Sequence, residues 1–192
     1  MIPLHADIST RCRRIGLDYL TPILWHKIAN ASYEVSNGSS FMGKPYEPNA
    51  IIKSDIEYIL MFRKSGGYRS PTLEQRRRSK LTKEQFGTWF QSFWTDIPGA
   101  STKDHPAPFP IELAERLIRM FSFVEDTVVD PFSGTGSTLV AAARSGRNSI
   151  GVEIDADYLR YAHRRLTQEF QKQDFFETIT PRLIYNAENR DS

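Results

Sequence analysis

The segment VVDPFSGTGSTLVAAARSG, residues 128–146, constrains the fold more than any other part of the sequence. A short apolar β-run leads into a turn of small residues, which is followed by an alanine-rich helix. Gly134 and Gly136 lack a Cβ, so the backbone can adopt positive φ and a ligand can lie against it. Ser137 or Thr138 is expected to cap the helix and leave its amide N–H groups free. The segment therefore predicts a strand-loop-helix unit with a ligand at the loop, and a tight connection without a ligand is the alternative.

Flanking segments extend this unit into a layered fold. A helix with an apolar stripe is predicted from Pro110 onward, and its i,i+4 pair of Glu112 and Arg116 is assigned to the exposed face. A strand is predicted over residues 149–154, followed by a helix from Ala156. Strands that alternate with helices predict parallel pairing and an α/β architecture.

The amino-terminal half contains shorter signals. Residues 7–15 are predicted to form a short basic helix, and residues 19–28 a strand in which Pro22 marks an edge or a bulge. EYILMF, residues 57–62, is predicted as one strand covered on both faces. Between residues 65 and 103 the periodicity weakens and basic residues mix with aromatic ones, so this stretch is interpreted as an insertion.

Composition excludes several classes of protein. The single cysteine, Cys12, rules out an internal disulfide and favours a reducing, cytoplasmic compartment. No uninterrupted apolar run approaches the ~20 residues that span a bilayer, so no membrane segment is expected. The four histidines lie far apart in the sequence, so no metal site is expected either. The formal net charge of +2 does not by itself indicate a nucleic-acid partner.

The class of ligand follows from the residues around the glycine turn. Glu153 ends the next predicted strand, 19 positions after Gly134, where α/β folds place an acid that accepts hydrogen bonds from ribose hydroxyls. The third glycine of a dinucleotide motif is replaced by Leu139, and no Gly-Lys-Ser/Thr sequence is present for phosphate. These features favour an adenosine that carries no phosphates.

DPFSGTGSTLVAAARSGRNSIGVEIDADYLRYAHRRL resembles the S-adenosylmethionine-binding segment of the DNA amino-methyltransferases. HPAPFPIELAERLI, PLHADI, ILWHK and EYILMFRK resemble further motifs of that family, and the similarity covers residues 3–64 and 104–167. The resemblance implies a Rossmann-like layered sheet with circularly permuted motif order, in one partial domain over residues 1–192. It also implies methyl transfer from S-adenosylmethionine to an exocyclic amine of cytosine or adenine in double-stranded DNA, within a restriction-modification system.

The same resemblance implies roles for individual residues. Asp130 and the amides of the glycine loop would hold the methionine portion of the cofactor, Glu153 the ribose, and Ile154 with Asp155 the adenine. The segment HPAPFP would lie near the cofactor. A connection that its prolines stiffen before the next helix explains the same residues equally well. The full set of implied cofactor-binding residues is Asp130, Phe132, Ser133, Gly134, Gly136, Ser137, Thr138, Glu153, Ile154, Asp155, His105, Pro106 and Phe109.

No catalytic residue is assigned, because the family's Asp/Asn/Ser-Pro-Pro-aromatic tetrapeptide is absent. GKPYEP and TDIPGA are the nearest candidates, and neither has the two prolines. With the glycine motif near the carboxyl end, the tetrapeptide is expected upstream of Met1, so the chain resembles the later part of a methyltransferase that is inactive alone. A truncated gene, a split enzyme with a separate catalytic chain and a late start codon remain open. The alternatives are a non-catalytic cofactor- and DNA-binding subunit or remnant, and a methyltransferase that acts on RNA or protein.

A basic run predicts contact with DNA. Between residues 63 and 83 eight lysines and arginines accompany one acid, Glu74. All of this run except Arg63 and Lys64 lies in the 65–103 stretch, which the resemblance makes a candidate target-recognition insertion. The residues expected to contact DNA are Arg76, Arg77, Arg78 and Lys80, and a solvated helix face is the alternative.

Overall fold

The computed structural model describes residues 3–27, 55–100, 109–172, 181–182 and 184. In chain order, its elements are α1 (Leu4–Arg14), β1 (Leu17–Tyr19), β2 (Ile23–His26), β3 (Ile56–Ile59), β4 (Phe62–Lys64), α2 (Leu73–Arg78), α3 (Lys83–Trp89), β5 (Phe93–Trp94), α4 (Ile111–Phe121), β6 (Thr127–Asp130), α5 (Ser137–Arg144), β7 (Asn148–Gly151) and α6 (Ala156–Lys172).

The chain forms two compact units. Unit 1 contains Met1–Pro71 and Leu81–Pro110, and unit 2 contains Thr72–Lys80 and Ile111–Ser192. The predicted insertion at residues 65–103 therefore contributes to both units, and the single-domain assignment stays a prediction. Among the described residues, no helix combines the length and the apolar character needed to cross a bilayer.

Unit 1 is built on short strands. β2 pairs antiparallel with β3 and parallel with β5, whereas β1 pairs antiparallel with β4. The strand predicted over 19–28 is in fact two strands, β1 and β2, which are interrupted at Leu20–Pro22 where proline has no N–H to donate. EYILMF is likewise divided: residues 57–59 belong to β3 and Phe62 belongs to β4. These two strands join different sheets. The prediction that EYILMF is covered on both faces is wrong, because Glu57 and Tyr58 are exposed.

The core of unit 1 centres on two tryptophans. Trp25, Trp94 and Ile97 are fully buried. The indole Nε1 of Trp25 donates to the carbonyl oxygen of Ile97 at 2.8 Å, so the polar edge of the ring is satisfied inside the core. α1 corresponds to the basic helix predicted over 7–15, but it begins at Leu4.

The stretch of weak periodicity contains two short helices, α2 and α3. Each follows a threonine whose side chain accepts from the backbone N–H three residues later: Thr72 from Gln75, and Thr82 from Gln85, both at 3.1 Å. The glutamine side chains accept from the threonine N–H groups in return. The repeated Thr-x-x-Gln pattern is the sequence signal of such a capping box, and sequence reasoning had missed it.

Unit 2 contains the predicted α/β unit. β6 and β7 are parallel, with Val129 opposite Ile150. α5 packs against both strands, and α4 and α6 pack against α5. The core cluster of Ala114, Ile118, Ala141 and Ala142 is joined by Val128 from β6, so the helices cover the face of the sheet to which Val128 belongs.

One assignment in α4 is wrong. The charge pattern predicts Arg116 on the exposed face, but it is only 4% exposed. Its Nη2 lies 3.6 Å from the Glu112 carboxylate, which remains 63% exposed. The i,i+4 spacing of opposite charges identified the pair correctly, but such a pair can lie at the edge of a core as well as on an open face.

An ion pair joins α5 to α6. The Arg144 guanidinium donates two hydrogen bonds to the Glu169 carboxylate, at 2.8 and 3.0 Å, and Glu169 is buried. These hydrogen bonds raise the pKa of Arg144 above its usual value. The pair links the helix that follows β6 to the helix that follows β7.

Candidate cofactor-binding site

The site lies at the carboxyl ends of β6 and β7, where two loops run side by side. The N–H of Val152 donates to the Asp130 carbonyl, and the N–H of Ser133 donates to the Val152 carbonyl, each at 2.9 Å. The parallel pairing of the strands therefore continues into the loops at residues 131–136 and 152–155. Open parallel sheets bind ligands outside the carboxyl ends of their strands, as this geometry permits.

The Glu153 carboxylate bridges the two loops. Its Oε2 accepts from the N–H of Gly134 at 2.8 Å, and its Oε1 accepts from the N–H of Asp155 at 2.9 Å. An ionised carboxylate has about four acceptor sites, so both oxygens can accept further hydrogen bonds from a ligand hydroxyl. Glu153 thus shapes the loops while it remains able to bind a ribose.

The amino terminus of α5 presents unpaired amides. Within the described part of the chain, the N–H groups of Thr135, Ser137 and Thr138 donate to no acceptor. The N-cap is Gly136, with φ 81° and no side-chain cap, so the prediction that Ser137 or Thr138 caps this helix is wrong. Because the dipole makes a helix amino terminus positive, these amides can hold an anionic group such as a carboxylate.

The two glycines of the loop have positive φ, as predicted, with 50° at Gly134 and 81° at Gly136. The close approach at Gly136 is made by the protein itself. A Cβ built there would lie 2.8 Å from the Cβ of Ala162 on α6. Helix packing, and not only a ligand, therefore requires glycine at this position.

Two aspartates hold backbone conformations. Oδ1 of Asp130 accepts from the N–H of Phe132 at 3.0 Å, which fixes the start of the first loop. Oδ1 of Asp155 accepts from the N–H groups of Asp157 and Tyr158, at 2.8 and 3.1 Å, and so caps α6. Asp155 consequently has a structural role beside the one implied at the adenine.

Two large apolar side chains flank the loops in the open. Phe132 is 87% exposed and Ile154 is 95% exposed. Each follows a strand of the sheet, and the hydrogen-bonded loops carry them at the same edge. Ser133 is buried, and its Oγ donates to the Val152 carbonyl at 3.2 Å. An exposed aromatic ring and an exposed isoleucine at one edge provide apolar surface for a planar ligand.

Comparisons with known proteins agree with this geometry. The family model described as DNA methylase matches residues 8–164. The chain belongs to this family. It is 41% identical over 163 residues to the type II methyltransferase M.MjaI of Methanocaldococcus jannaschii. That match covers 81% of the present chain and 51% of M.MjaI. It is 39% identical to the type II methyltransferase M.MthZI of Methanothermobacter thermautotrophicus, covering 80% of the chain and 44% of that protein.

A solved structure shows the same architecture. A protein of Thermus thermophilus, assigned as a DNA modification methylase and crystallised with S-adenosyl-L-methionine, is 55% identical with a TM-score of 0.73. The match covers 88% of the present chain and 60% of that one. The chain therefore has the Rossmann-like methyltransferase fold, and it spans about half the length of the curated relatives it matches.

In this DNA methylase family member, the basic residues of α2 are held away from the glycine loop. The side chain of Ser79 accepts from the N–H of Val124 at 2.9 Å, and Arg78 donates to Glu125 at 2.7 Å. Val124 and Glu125 precede β6, so α2 lies at the amino end of that strand. The glycine loop lies at its carboxyl end.

The four predicted DNA contacts differ in their surroundings. Arg77 donates two hydrogen bonds to Glu74, at 3.0 and 3.1 Å, and Arg78 pairs with Glu125. Arg76 and Lys80 are exposed and form no ion pair with any residue that the structure describes. Of the remaining predicted cofactor residues, Phe109 precedes α4 and is partly exposed, whereas His105 and Pro106 lie outside the described residues.

Sequence reasoning assigned no role at the cofactor site to two residues of α6 that contact the loop in this family member. Ala162 packs against Gly136, and Arg165 donates to the carbonyl oxygen of Thr135. A usable signal was present, because Tyr158, Ala162 and Arg165 are spaced by four and three residues and so share one face of the helix.

Proposed function

We propose that this chain is the cofactor-binding part of a DNA amino-methyltransferase. It binds S-adenosylmethionine at the glycine loop and presents the methyl group to an exocyclic amine of cytosine or adenine in double-stranded DNA. The observation that carries the proposal is the bridge formed by Glu153 between two loops, beside the unpaired amides of Thr135, Ser137 and Thr138. Membership of the DNA methylase family supports the same reaction.

Each part of the cofactor has a chemically matched partner. The α5 amides suit the methionine carboxylate, and the Asp130 carboxylate suits its ammonium group. Glu153 accepts hydrogen bonds from the ribose hydroxyls, and Phe132 and Ile154 contribute apolar surface around the adenine. Ser133, Gly134 and Gly136 shape the loop, and His105, Pro106 and Phe109 remain predicted neighbours of the cofactor.

The methyl transfer needs a group that this sequence does not contain. An exocyclic amine is a weak nucleophile because its lone pair is delocalised into the ring, so hydrogen-bond acceptors must withdraw its protons as the methyl leaves sulfur. The family uses an acceptor-Pro-Pro-aromatic tetrapeptide on a base taken out of the duplex. The present sequence has no two consecutive prolines. A polypeptide segment that carries the tetrapeptide is therefore part of the proposal.

An apolar surface in unit 2 provides a place for that segment. Val129, Ile150 and Val152 are 61%, 55% and 55% exposed, and they lie on the face of the sheet opposite Val128. Parallel sheets in α/β proteins are covered on both faces, whereas here α5 covers only one. We propose that the tetrapeptide-bearing polypeptide packs on this second face.

The basic residues of α2 and the nearby Lys80 are proposed to contact DNA. Arg76 and Lys80 support this contact, since they are exposed and form no ion pair with the described residues. Arg77 and Arg78 would have to exchange their carboxylate partners for phosphate. A cytoplasmic location, expected from the single cysteine, completes the proposal.

A tritiated-methyl assay on unmethylated genomic DNA tests the function. We expect no incorporation by the chain alone, and incorporation into exocyclic amines once a tetrapeptide-bearing polypeptide is added in trans or fused. Glu153→Ala should lower the restored activity when S-adenosylmethionine is limiting, because it weakens cofactor binding. Ile150→Asp should abolish activity in trans without weakening cofactor binding, because it charges the proposed docking face and leaves the loops intact. Robust incorporation by the chain alone would contradict the proposal that a second polypeptide supplies the catalytic tetrapeptide.

A further inference from the structure

Arg165 on α6 makes two contacts with one residue of the glycine loop. Its Nη1 donates to the carbonyl oxygen of Thr135 at 2.7 Å and to the Thr135 Oγ1 at 3.2 Å. The guanidinium is partly buried, and its carbon lies 5.8 Å from the centre of the Tyr161 ring, within the range of a cation–π contact. Hydrogen bonds from a charged donor are stronger than neutral ones, so Thr135 is held firmly.

The contact with Arg165 acts on a part of the loop that can change its backbone conformation. Thr135 lies between Gly134 and Gly136, and the peptide that joins Thr135 to Gly136 rotates about ψ of Thr135 and φ of Gly136, of which the second is not restricted by a Cβ. The C=O and N–H of one peptide point in opposite directions. With the Thr135 carbonyl turned toward Arg165, the N–H of Gly136 turns away and donates to the Ser133 carbonyl at 2.8 Å. Arg165 and the Ser133 carbonyl therefore hold the two ends of the peptide that precedes α5, and Arg165 is the side chain that does so.

The loop is thus held at successive residues by different parts of unit 2. The Glu153 carboxylate accepts from Gly134, Arg165 donates to Thr135, and Ala162 packs against Gly136. The contact from Arg165 is the one that acts on the Thr135–Gly136 peptide, directly before α5. If that peptide rotated, the start of α5 would change direction, and with it the unpaired amides of Ser137 and Thr138.

We infer that Arg165 is a positioning residue for cofactor binding: it holds the glycine loop in the conformation that binds S-adenosylmethionine. The inference rests on the proposed function. Affinity falls in proportion to the fraction of molecules in the competent conformation, so a loop that is competent about one-tenth of the time binds about tenfold more weakly. Removing the guanidinium is expected to have an effect of that size.

Isothermal titration of the full chain with S-adenosylmethionine tests the inference, using Arg165→Met, Arg165→Lys and Arg164→Met. Arg164 is the adjacent arginine, is exposed and makes no hydrogen bond or ion pair with the described residues, so it is the matched control. We expect an about tenfold higher Kd for Arg165→Met, a smaller increase for Arg165→Lys, which keeps a charged donor, and no change for Arg164→Met. The folded fraction of each variant is measured by circular dichroism at the titration temperature.

The outcomes separate this inference from the proposed function. If the unaltered chain binds no S-adenosylmethionine, the proposed function fails. If it binds, and folded Arg165→Met binds equally well, the positioning role is overturned and the proposed function stands. Equal losses for the methionine and lysine variants would also overturn it, because a role in packing alone would not be rescued by a charged donor. If Arg165→Met does not fold, Arg165→Gln is titrated in its place. Weaker binding by Arg165→Gln would support the positioning role, and unchanged binding would overturn it.

Discussion

Gly136→Ala is expected to destabilise unit 2 strongly. Alanine at φ 81° is in the left-handed region, which costs about 1–2 kcal/mol for a residue with a Cβ. Its Cβ would also lie 2.8 Å from the Cβ and 3.3 Å from the Cα of Ala162, and overpacking of this kind costs about 1–3 kcal/mol. The two costs together should lower the free energy of unfolding by about 2–5 kcal/mol. A whole domain typically has a free energy of unfolding of about 5–15 kcal/mol, so this is a large part of it.

Gly146→Ala is the matched control for this prediction. Gly146 also has positive φ, at 71°, but a Cβ there would meet nothing closer than Val124 Cγ1 at 3.8 Å. It should therefore show only the conformational cost of about 1–2 kcal/mol. The difference between the two variants isolates the contact between the glycine loop and α6.

Urea unfolding followed by far-ultraviolet circular dichroism is the suitable assay. The three tryptophans, Trp25, Trp89 and Trp94, belong to unit 1, so their fluorescence would not report directly on unit 2. Adding Ala162→Gly to Gly136→Ala should restore part of the loss, with a coupling energy of about 1 kcal/mol or more. Equal losses for Gly136→Ala and Gly146→Ala, with no coupling to Ala162, would refute the reasoning.

Three further predictions concern capping, the helix-helix ion pair and DNA. Asp155→Ala should lower the free energy of unfolding by about 0.5–2 kcal/mol through loss of the α6 cap, and Asp155→Asn by much less, as measured by urea unfolding. Glu169→Gln should cost about 1–2 kcal/mol in the same assay, because the Arg144 side chain is 40% exposed and water can replace part of the lost pairing. Arg76→Gln combined with Lys80→Gln should reduce the slope of log K against log salt for DNA binding by about two, whereas an unchanged slope would make α2 a solvated helix.

The segment around the glycine turn was predictable because its signals are local and agree with one another. An apolar β-run, small turn residues and an alanine-rich helix specify β6, the loop and α5 at short range, and Glu153 follows at the expected distance. The parallel pairing of β6 and β7 was also predicted from the order of elements and is confirmed. Even there, glycine at position 136 is required by contact with Ala162, 26 residues later, as well as by its positive φ, and the residues around Gly136 do not reveal that contact.

The errors occur where tertiary pairing overrides local pattern. EYILMF reads as one apolar strand, but β3 pairs with β2 and β4 pairs with β1, and the ladder breaks between them. Arg116 reads as a surface residue, but the packing around α4 buries it. The capped helices α2 and α3 have no apolar stripe long enough to produce a periodic signal, so only their capping boxes could have predicted them.

Calorimetric titration of the full chain with S-adenosylmethionine, beside Glu153→Ala and Asp157→Ala, tests the central claim most directly. Asp157 is an exposed carboxylate near the site that accepts from neither loop, so its removal should leave affinity unchanged. Glu153→Ala loses the hydrogen bonds to ribose and the bridge between Gly134 and Asp155, and its binding should weaken by at least about 1–3 kcal/mol. S-adenosylmethionine should bind the unaltered chain more tightly than NAD does. Equal affinity of Glu153→Ala and the unaltered chain, or tighter binding of NAD, would contradict the assignment of this edge of the sheet as the cofactor site.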